Sequence, residues 1–427
     1  MQEVVAQEKA PSIKKNYIYN AIAKIFALLI PIIITPYLAR ILEPDGTGSI
    51  SFVASNVSYF VILANLGIET YGQKLISENR NNPSFLKRFL IEITSLRAIL
   101  TLICLLVYFI TFVVILESNS ILYAIHGISL LAVAVDFTWF FQGVEDFKKI
   151  AFVNILSKIA YIAFIFLFVK TKADINIAAL IIVVSTVLPY FLLTPFLFKF
   201  THKIKIDDKI KPFRHFKECM VYFIPTIAIQ IYTILDKTMI GVITKSEAQN
   251  GFYEKAEQIA KLPLTIITTM NVIMRSRISY YYAQNEMDKI TKLTKKSACF
   301  TLLFAIPILF GIIIVTKRFV PIYLGDLYDE CIPLIYILSP LIFIIAISNL
   351  LGTHYYTPFD KQKTSNKFLI IGAFVNLALN SVLIYFFQAR GAAIASVVAE
   401  IVVTTLYLIF AREFFSIKDF IKAGYKY

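Results

Sequence analysis

The chain has 427 residues, of which 58% are hydrophobic and only 16% are charged, and its formal net charge is +14. Soluble domains carry about a quarter charged residues, so this composition excludes an ordinary soluble protein. The positive charge alone would suit a nucleic-acid-binding protein. The basic residues, however, are concentrated in short gaps between apolar runs, which is typical of a membrane protein.

Uncharged runs of about membrane-spanning length recur along the whole chain. A helix needs about 20 apolar residues to cross a bilayer, and only helices or closed barrels can cross, because lipid cannot satisfy free backbone groups. We therefore predict an all-α polytopic membrane protein with about twelve transmembrane helices. The predicted spans are 17–39, 49–72, 91–116, 121–142, 151–169, 177–198, 219–243, 253–274, 297–316, 332–352, 367–389 and 391–411.

The positions of Lys and Arg predict the orientation of these spans. Most of the 42 basic residues lie before the first span, in even-numbered gaps or after the last span, and only seven lie in odd-numbered gaps. Basic residues are retained on the cytoplasmic side of a membrane. Both termini are therefore predicted to be cytoplasmic, which agrees with an even number of spans.

A weak internal repeat divides the chain into two halves. The turn after the first span and the turn after the seventh are similar, and Gly48 corresponds to Gly251. Six spans in each half, both starting in the cytoplasm, predict two parallel six-helix repeats around a central cavity. We predict an N-terminal half over 1–200, a basic cytoplasmic linker over 201–218 and a C-terminal half over 219–427.

Polar side chains inside the spans are the candidate functional residues, because they are costly in lipid unless they face a cavity or a partner. Many recur at helical spacing, so that each set shares one face of its helix. Two interpretations compete, namely hydrogen bonding between neighbouring helices and the lining of a water-filled cavity. The cationic and amide candidates are Lys24, Arg40, Asn65, Gln230, Lys237 and Lys261, and the acidic candidates are Glu69, Asp236, Glu254 and Glu257.

Two pairs of charged residues are candidates for a structural role. Arg97 and Asp136 could form a buried pair between the third and fourth spans, and Glu254 could pair with Lys261 across two turns of the eighth. The four cysteines fit neither a metal site nor a disulfide framework.

The sequence lacks the common motifs of enzymes. It contains no phosphate-binding G-x-x-x-x-G-K-[ST] loop, no H-E-x-x-H and no G-x-S-x-G. These absences favour a transporter over an ATPase or a hydrolase. We predict no cofactor, and leave open whether a proton or a sodium ion is coupled to transport.

Four motifs resemble those of Wzx-type polysaccharide flippases, which belong to the multidrug/oligosaccharidyl-lipid/polysaccharide exporter superfamily. Together they extend over most of the chain in the expected order. Two departures are a Glu at position 43, where family members commonly have Gly, and Gln388-Ala389-Arg390 in place of a Pro-x-x-G turn. The motifs are Tyr37–Gly72, Val135–Lys149 (VDFTWFFQGVEDFKK), Ile231–Ala256 and the stretch FVNLALNSVLIYFFQARGAAIASVVAE that ends at Glu400.

The resemblance implies a function. Such a protein would move an undecaprenyl-diphosphate-linked oligosaccharide across the bacterial cytoplasmic membrane for O-antigen, capsule or other exopolysaccharide synthesis. The lysines would attract the diphosphate, Arg40 would lie at the outer mouth, and the acidic residues would neutralise lysines or bind a coupling ion. A polysaccharide polymerase and a chain-length regulator would be its protein partners. The alternatives are a cation-coupled multidrug exporter of the same superfamily and an uncoupled lipid scramblase or assembly subunit.

Overall fold

In the computed structural model, residues 13–80, 82–115, 119–201 and 210–414 are described, and these residues form helices and no strand. The predicted all-α fold is therefore confirmed. The first α-helices are α1 (Ile13–Asn65), α2 (Ile68–Glu78), α3 (Pro83–Phe109), α4 (Ser120–Val133), α5 (Thr138–Gly143), α6 (Phe147–Phe168) and α7 (Ile175–Thr201). They are followed by α8 (Phe216–Thr244), α9 (Glu247–Lys261), α10 (Leu264–Ala283), α11 (Met287–Tyr323), α12 (Cys331–Leu338), α13 (Leu341–Leu351) and α14 (Gln362–Phe410).

Eight helical stretches among the described residues are long and apolar enough to cross a membrane. Two of them contain 51 and 49 residues and would extend roughly 75 Å if straight, more than twice the thickness of a bilayer core. Each of these two must therefore cross more than once. The eight are Leu28–Glu78, Pro83–Ile115, Ser120–Gly143, Phe147–Phe168, Lys172–Phe198, Met287–Tyr323, Cys331–Tyr356 and Gln362–Phe410.

A backbone break divides each of the two longest helices. Glu43 in α1 has φ 58° and ψ 176°, and Gln388 in α14 has φ 52° and ψ −132°. At the second break the chain folds back, because a Cβ on Gly391 would lie 2.1 Å from the carbonyl oxygen of Leu383. Each break divides one of the eight stretches into two, so the described residues form ten apolar segments. The helix α8 and the consecutive pair α9–α10 correspond to the seventh and eighth predicted spans, which gives the twelve predicted segments.

The described chain divides into two units. The first contains the residues up to Leu42 together with Val53–Ile227, and the second contains Glu43–Phe52 and the residues from Ala228 onward. Residues 202–209 of the predicted linker lie outside the described part of the structure. The division at 1–200, 201–218 and 219–427 and the central cavity stay predictions.

Residues that correspond in the internal repeat touch each other inside the second unit. A Cβ on Gly48 would lie 1.7 Å from the backbone oxygen of Glu247 and 2.8 Å from the nitrogen of Gly251, so the two backbones are in direct contact. Three residues further along each helix, Ser51 donates a 2.8 Å hydrogen bond to Glu254 across the same 203-residue separation. Contact between equivalent residues indicates a local twofold relation between these two helix starts.

Candidate functional site

Two lysines and two glutamates of the second unit form one ionic network. Lys237 of α8 pairs with Glu254 and lies 3.3 Å from Glu257, both on α9. Glu257 also pairs with Lys261 at 2.6 Å. The pairing of Glu254 with Lys261 suggested by the sequence is wrong, because Glu257, at i−4 from Lys261, lies one turn away instead of two. The network is internally neutral and its side chains are 13–36% exposed.

Local sequence signals position α9 so that its charged face meets α8. Ser246 caps the helix by accepting a hydrogen bond from the backbone nitrogen of Gln249, which satisfies one free donor of the first turn. Glu247 stands in the first turn and Lys261 in the last, both favourable to the helix dipole. Because residues three and four apart share a face, Glu254, Glu257 and Lys261 point to the same side.

Asp236 is surrounded by four hydrogen-bond donors, one from α9 and three from α14. Its side chain is buried, with the residue only 4% exposed. Tyr253 donates to Oδ2 at 2.5 Å, and Asn380 and Asn376 donate to Oδ1 at 2.7 and 3.1 Å. Ser396 also donates to Oδ2. This group of five residues is called the Asp236 cluster below.

The backbone reversal at Gln388 brings both arms of α14 to this carboxylate. Asn380 and Ser396 each lie eight residues from Gln388, on opposite arms. Asn380 also donates to Asn376 Oδ1 at 2.9 Å, whereas its own Oδ1 is buried with no partner among the described atoms. Sequence reasoning selected Asp236 but missed Asn376, Asn380 and Tyr253; the two asparagines spaced i, i+4 ahead of the turn were the available signal.

A second polar cluster lies in the first unit. Arg97 donates to the backbone oxygen of Asp136 at 2.6 Å and lies 3.5 Å from its carboxylate, with both side chains nearly inaccessible to solvent. The predicted Arg97–Asp136 pair is therefore confirmed. Arg97 also donates to Asn65 at 2.8 Å, and Asn65 donates to Glu69 at 2.8 Å. The candidates Asn65 and Glu69 thus belong to this first-unit cluster.

Three candidates from the sequence remain. Arg40 is exposed on α1, three residues before the break at Glu43. Lys24 lies in α1 and Gln230 in α8, and their side chains fall outside the described part of the structure.

A buried carboxylate that the sequence did not single out fastens the start of α8 to α3. Glu92, 1% exposed, accepts hydrogen bonds from the backbone nitrogen of Lys211 at 3.0 Å and contacts Nε2 of His215 at 2.9 Å. His215 Nδ1 in turn contacts the hydroxyl of Tyr71 at 2.9 Å. All four residues belong to the first unit, so this link stabilises the connection that leads into α8.

The chain is similar to known proteins along most of its length. The family described as polysaccharide biosynthesis protein matches residues 13–274, more than half of the chain. The chain belongs to this family. A protein of Escherichia coli (strain K12) assigned as an O-antigen transporter is 25% identical over 413 residues, which cover 94% of this chain and 97% of the relative.

The fold of this chain is similar to that of two solved structures. The Lipid II flippase MurJ in its inward closed conformation has a TM-score of 0.77 at 17% identity and covers 96% of this chain and 90% of its own. An inward-facing multidrug resistance transporter of the MATE family, within the MOP superfamily, has a TM-score of 0.70 at 13% identity over 95% and 96%. At these identities the likeness establishes the fold alone.

Proposed function

We propose that this protein is a flippase that moves undecaprenyl-diphosphate-linked oligosaccharide repeat units across the cytoplasmic membrane by alternating access. Membership in the polysaccharide biosynthesis family and the name of the E. coli relative support a lipid-linked glycan as substrate. The single structural observation that carries the proposal is the Lys237–Glu254–Glu257–Lys261 network, because charged side chains within membrane-spanning helices are retained for function.

The network suits a diphosphate because its lysines already hold exchangeable anions. A diphosphate cannot enter hydrocarbon unaided, since bare charges there are very costly. Lys237 contacts two carboxylates, so a diphosphate could take the place of one of them with no lysine left without a counter-charge. Lys24, Arg40, Gln230 and Asn65 stay proposed contacts of the head group.

The Asp236 cluster is the proposed site of ion coupling. One carboxylate with amide and hydroxyl neighbours provides hard oxygen ligands and a single negative charge, which fits a proton or a sodium ion better than a multivalent metal. Binding sodium would require the Asn380 amide to turn its oxygen towards the ion, and this oxygen has no competing partner among the described atoms. The rest of the cluster would then orient the carboxylate.

The proposed location is the cytoplasmic membrane with both termini inside, as the distribution of basic residues predicts. A polysaccharide polymerase and a chain-length regulator are proposed partners. The second candidate function is cation-coupled drug export, which the fold of the MATE transporter favours. Because two glutamates balance the two lysines of the network, its net charge does not distinguish the two substrates, and the transport assay has to separate them. An uncoupled scramblase would translocate the lipid with no ion gradient.

The test uses purified protein in liposomes that contain a diphosphate-linked oligosaccharide lipid, with translocation followed by protection of the sugar from an external glycosidase. We expect protein-dependent exposure that is lost when Lys24, Lys237 and Lys261 are all replaced by Met. A matched control replaces Lys74, Lys149 and Lys289, each within ion-pair distance of a nearby carboxylate. Full activity of the first triple variant, or dye efflux with no lipid exposure, would contradict the proposal.

A further inference from the structure

Lys158 lies at the centre of a membrane-spanning helix. It is the twelfth of the 22 residues of α6 (Phe147–Phe168), which places it about 16 Å from either end along the helix axis. A lysine side chain is too short to carry its ammonium group across that distance to the membrane surface. Its charge therefore has to be accommodated inside the membrane.

The side chain is on the protein-facing side of α6. Ala151 and Ile165, seven residues before and after Lys158 and hence on the same face, are 4% and 0% exposed. Large apolar residues that are exposed, as expected of a lipid-facing surface, occupy other directions of the same helix. These are Phe152, Leu156 and Ile159.

Lys158 differs in its partners from the two lysines of the ionic network. Lys237 and Lys261 are paired with glutamates. Among the described residues, Lys158 has no carboxylate within ion-pair distance, and its described interaction is with the ring of Tyr161, 5.7 Å away. An aromatic ring attracts a cation but does not neutralise it. A lysine of this kind, half-buried and interior-facing, is arranged to receive an anion.

We infer that Lys158, a residue of the first unit, contacts the phosphate groups of the lipid-linked substrate. The inference rests on the proposed function and extends it, because the candidate lysines selected from the sequence did not include this one. An ammonium group recognises a phosphoryl anion as a point charge with three hydrogen-bond donors. The same chemistry would accept a lipid diphosphate or free pyrophosphate, and the experiment separates these sources.

The experiment measures binding to wild-type protein and to Lys158→Met and Lys158→Arg variants in nanodiscs. The probes are undecaprenyl diphosphate, the uncharged undecaprenol and free pyrophosphate. We expect Lys158→Met to weaken binding of the diphosphate lipid by at least about tenfold, the loss of one charge-assisted contact, with undecaprenol binding unchanged. Lys158→Arg should remain within about threefold of wild type. If free pyrophosphate competes with the diphosphate lipid for wild type but not for Lys158→Met, the site also binds the free anion.

The control variant is Lys149→Met, which removes one positive charge from the same helix where Lys149 pairs with Asp146 at 2.6 Å. It should bind and translocate like wild type. Equal affinity of wild type and Lys158→Met for the diphosphate lipid, with wild type still translocating, would overturn this inference and leave the proposed function intact. A wild-type protein that neither binds nor translocates the lipid would overturn both. If Lys158→Met fails to fold while wild type folds, Lys158→Gln replaces it as the test variant. The same results would then support or overturn the inference.

Discussion

Replacing Lys237 with Met should destabilise the protein through a defined partner, Glu254. Without Lys237, Glu254 keeps the hydrogen bond from Ser51 but loses its described ion-pair partner. Removing one member of a buried ion pair costs about 3–5 kcal/mol. Since these two side chains are 21% and 27% exposed, water screens part of the cost, and we expect the lower end, about 3 kcal/mol. Lys261→Met should cost only about 1 kcal/mol, because Glu257 would keep Lys237 and Lys261 is more exposed.

The assay is a double-mutant cycle of Lys237→Met and Glu254→Gln, read from reversible unfolding of purified protein in detergent. If the pair is coupled as the structure indicates, the double variant should recover most of the stability that Lys237→Met alone loses. A coupling energy below about 0.5 kcal/mol is the scatter expected of independent sites. Such a value would refute the reasoning that the two side chains neutralise each other.

Four further changes test separate parts of the structure. Asp236→Asn should remove the dependence of translocation on a proton or sodium gradient, measured by collapsing each gradient in turn, and an unchanged dependence would exclude this site. Gly48→Ala should destabilise by more than about 2 kcal/mol because its Cβ would lie 1.7 Å from a backbone oxygen, whereas Gly311→Ala, with nothing within 4 Å, should be neutral or stabilising in the same unfolding assay. Glu43→Gly should stabilise by about 1 kcal/mol, because the backbone at Glu43 lies in a region that favours glycine; a lower melting temperature would contradict this. Glu92→Gln should increase proteolysis near residues 210–215, and Glu78→Gln, at an exposed carboxylate, is the control that should leave it unchanged.

The twelve-span layout could be predicted because the bilayer imposes a length on every apolar run. The loops between spans were predicted less well. A gap was expected between 39 and 49, whereas helical structure continues on both sides of the single break at Glu43. A short polar stretch does not end a helix when its backbone groups remain paired, and one residue with positive φ is enough to redirect the chain.

The candidate site was predictable within a helix and unpredictable between helices. Helical periodicity placed Glu254, Glu257 and Lys261 on one face, as observed, but it could not identify Lys237 as the partner of two of them. That contact depends on the register of α8 against α9, which is set by packing. The hydrogen bonds from Asn376 and Asn380 to Asp236 were unpredictable for the same reason.

Consecutive residues of α8 belong to different clusters. Asp236 is held by Tyr253, Ser396 and the two asparagines of α14, whereas Lys237 faces the glutamates of α9. Neighbouring residues on a helix point about 100° apart, so one rigid element can carry both side chains without bringing them together. Under the proposed function, the ion site and the substrate-binding network are thus one residue apart on α8. Any movement of α8 that repositions Lys237 for a diphosphate must also move Asp236 relative to α14, which provides a direct physical route for coupling.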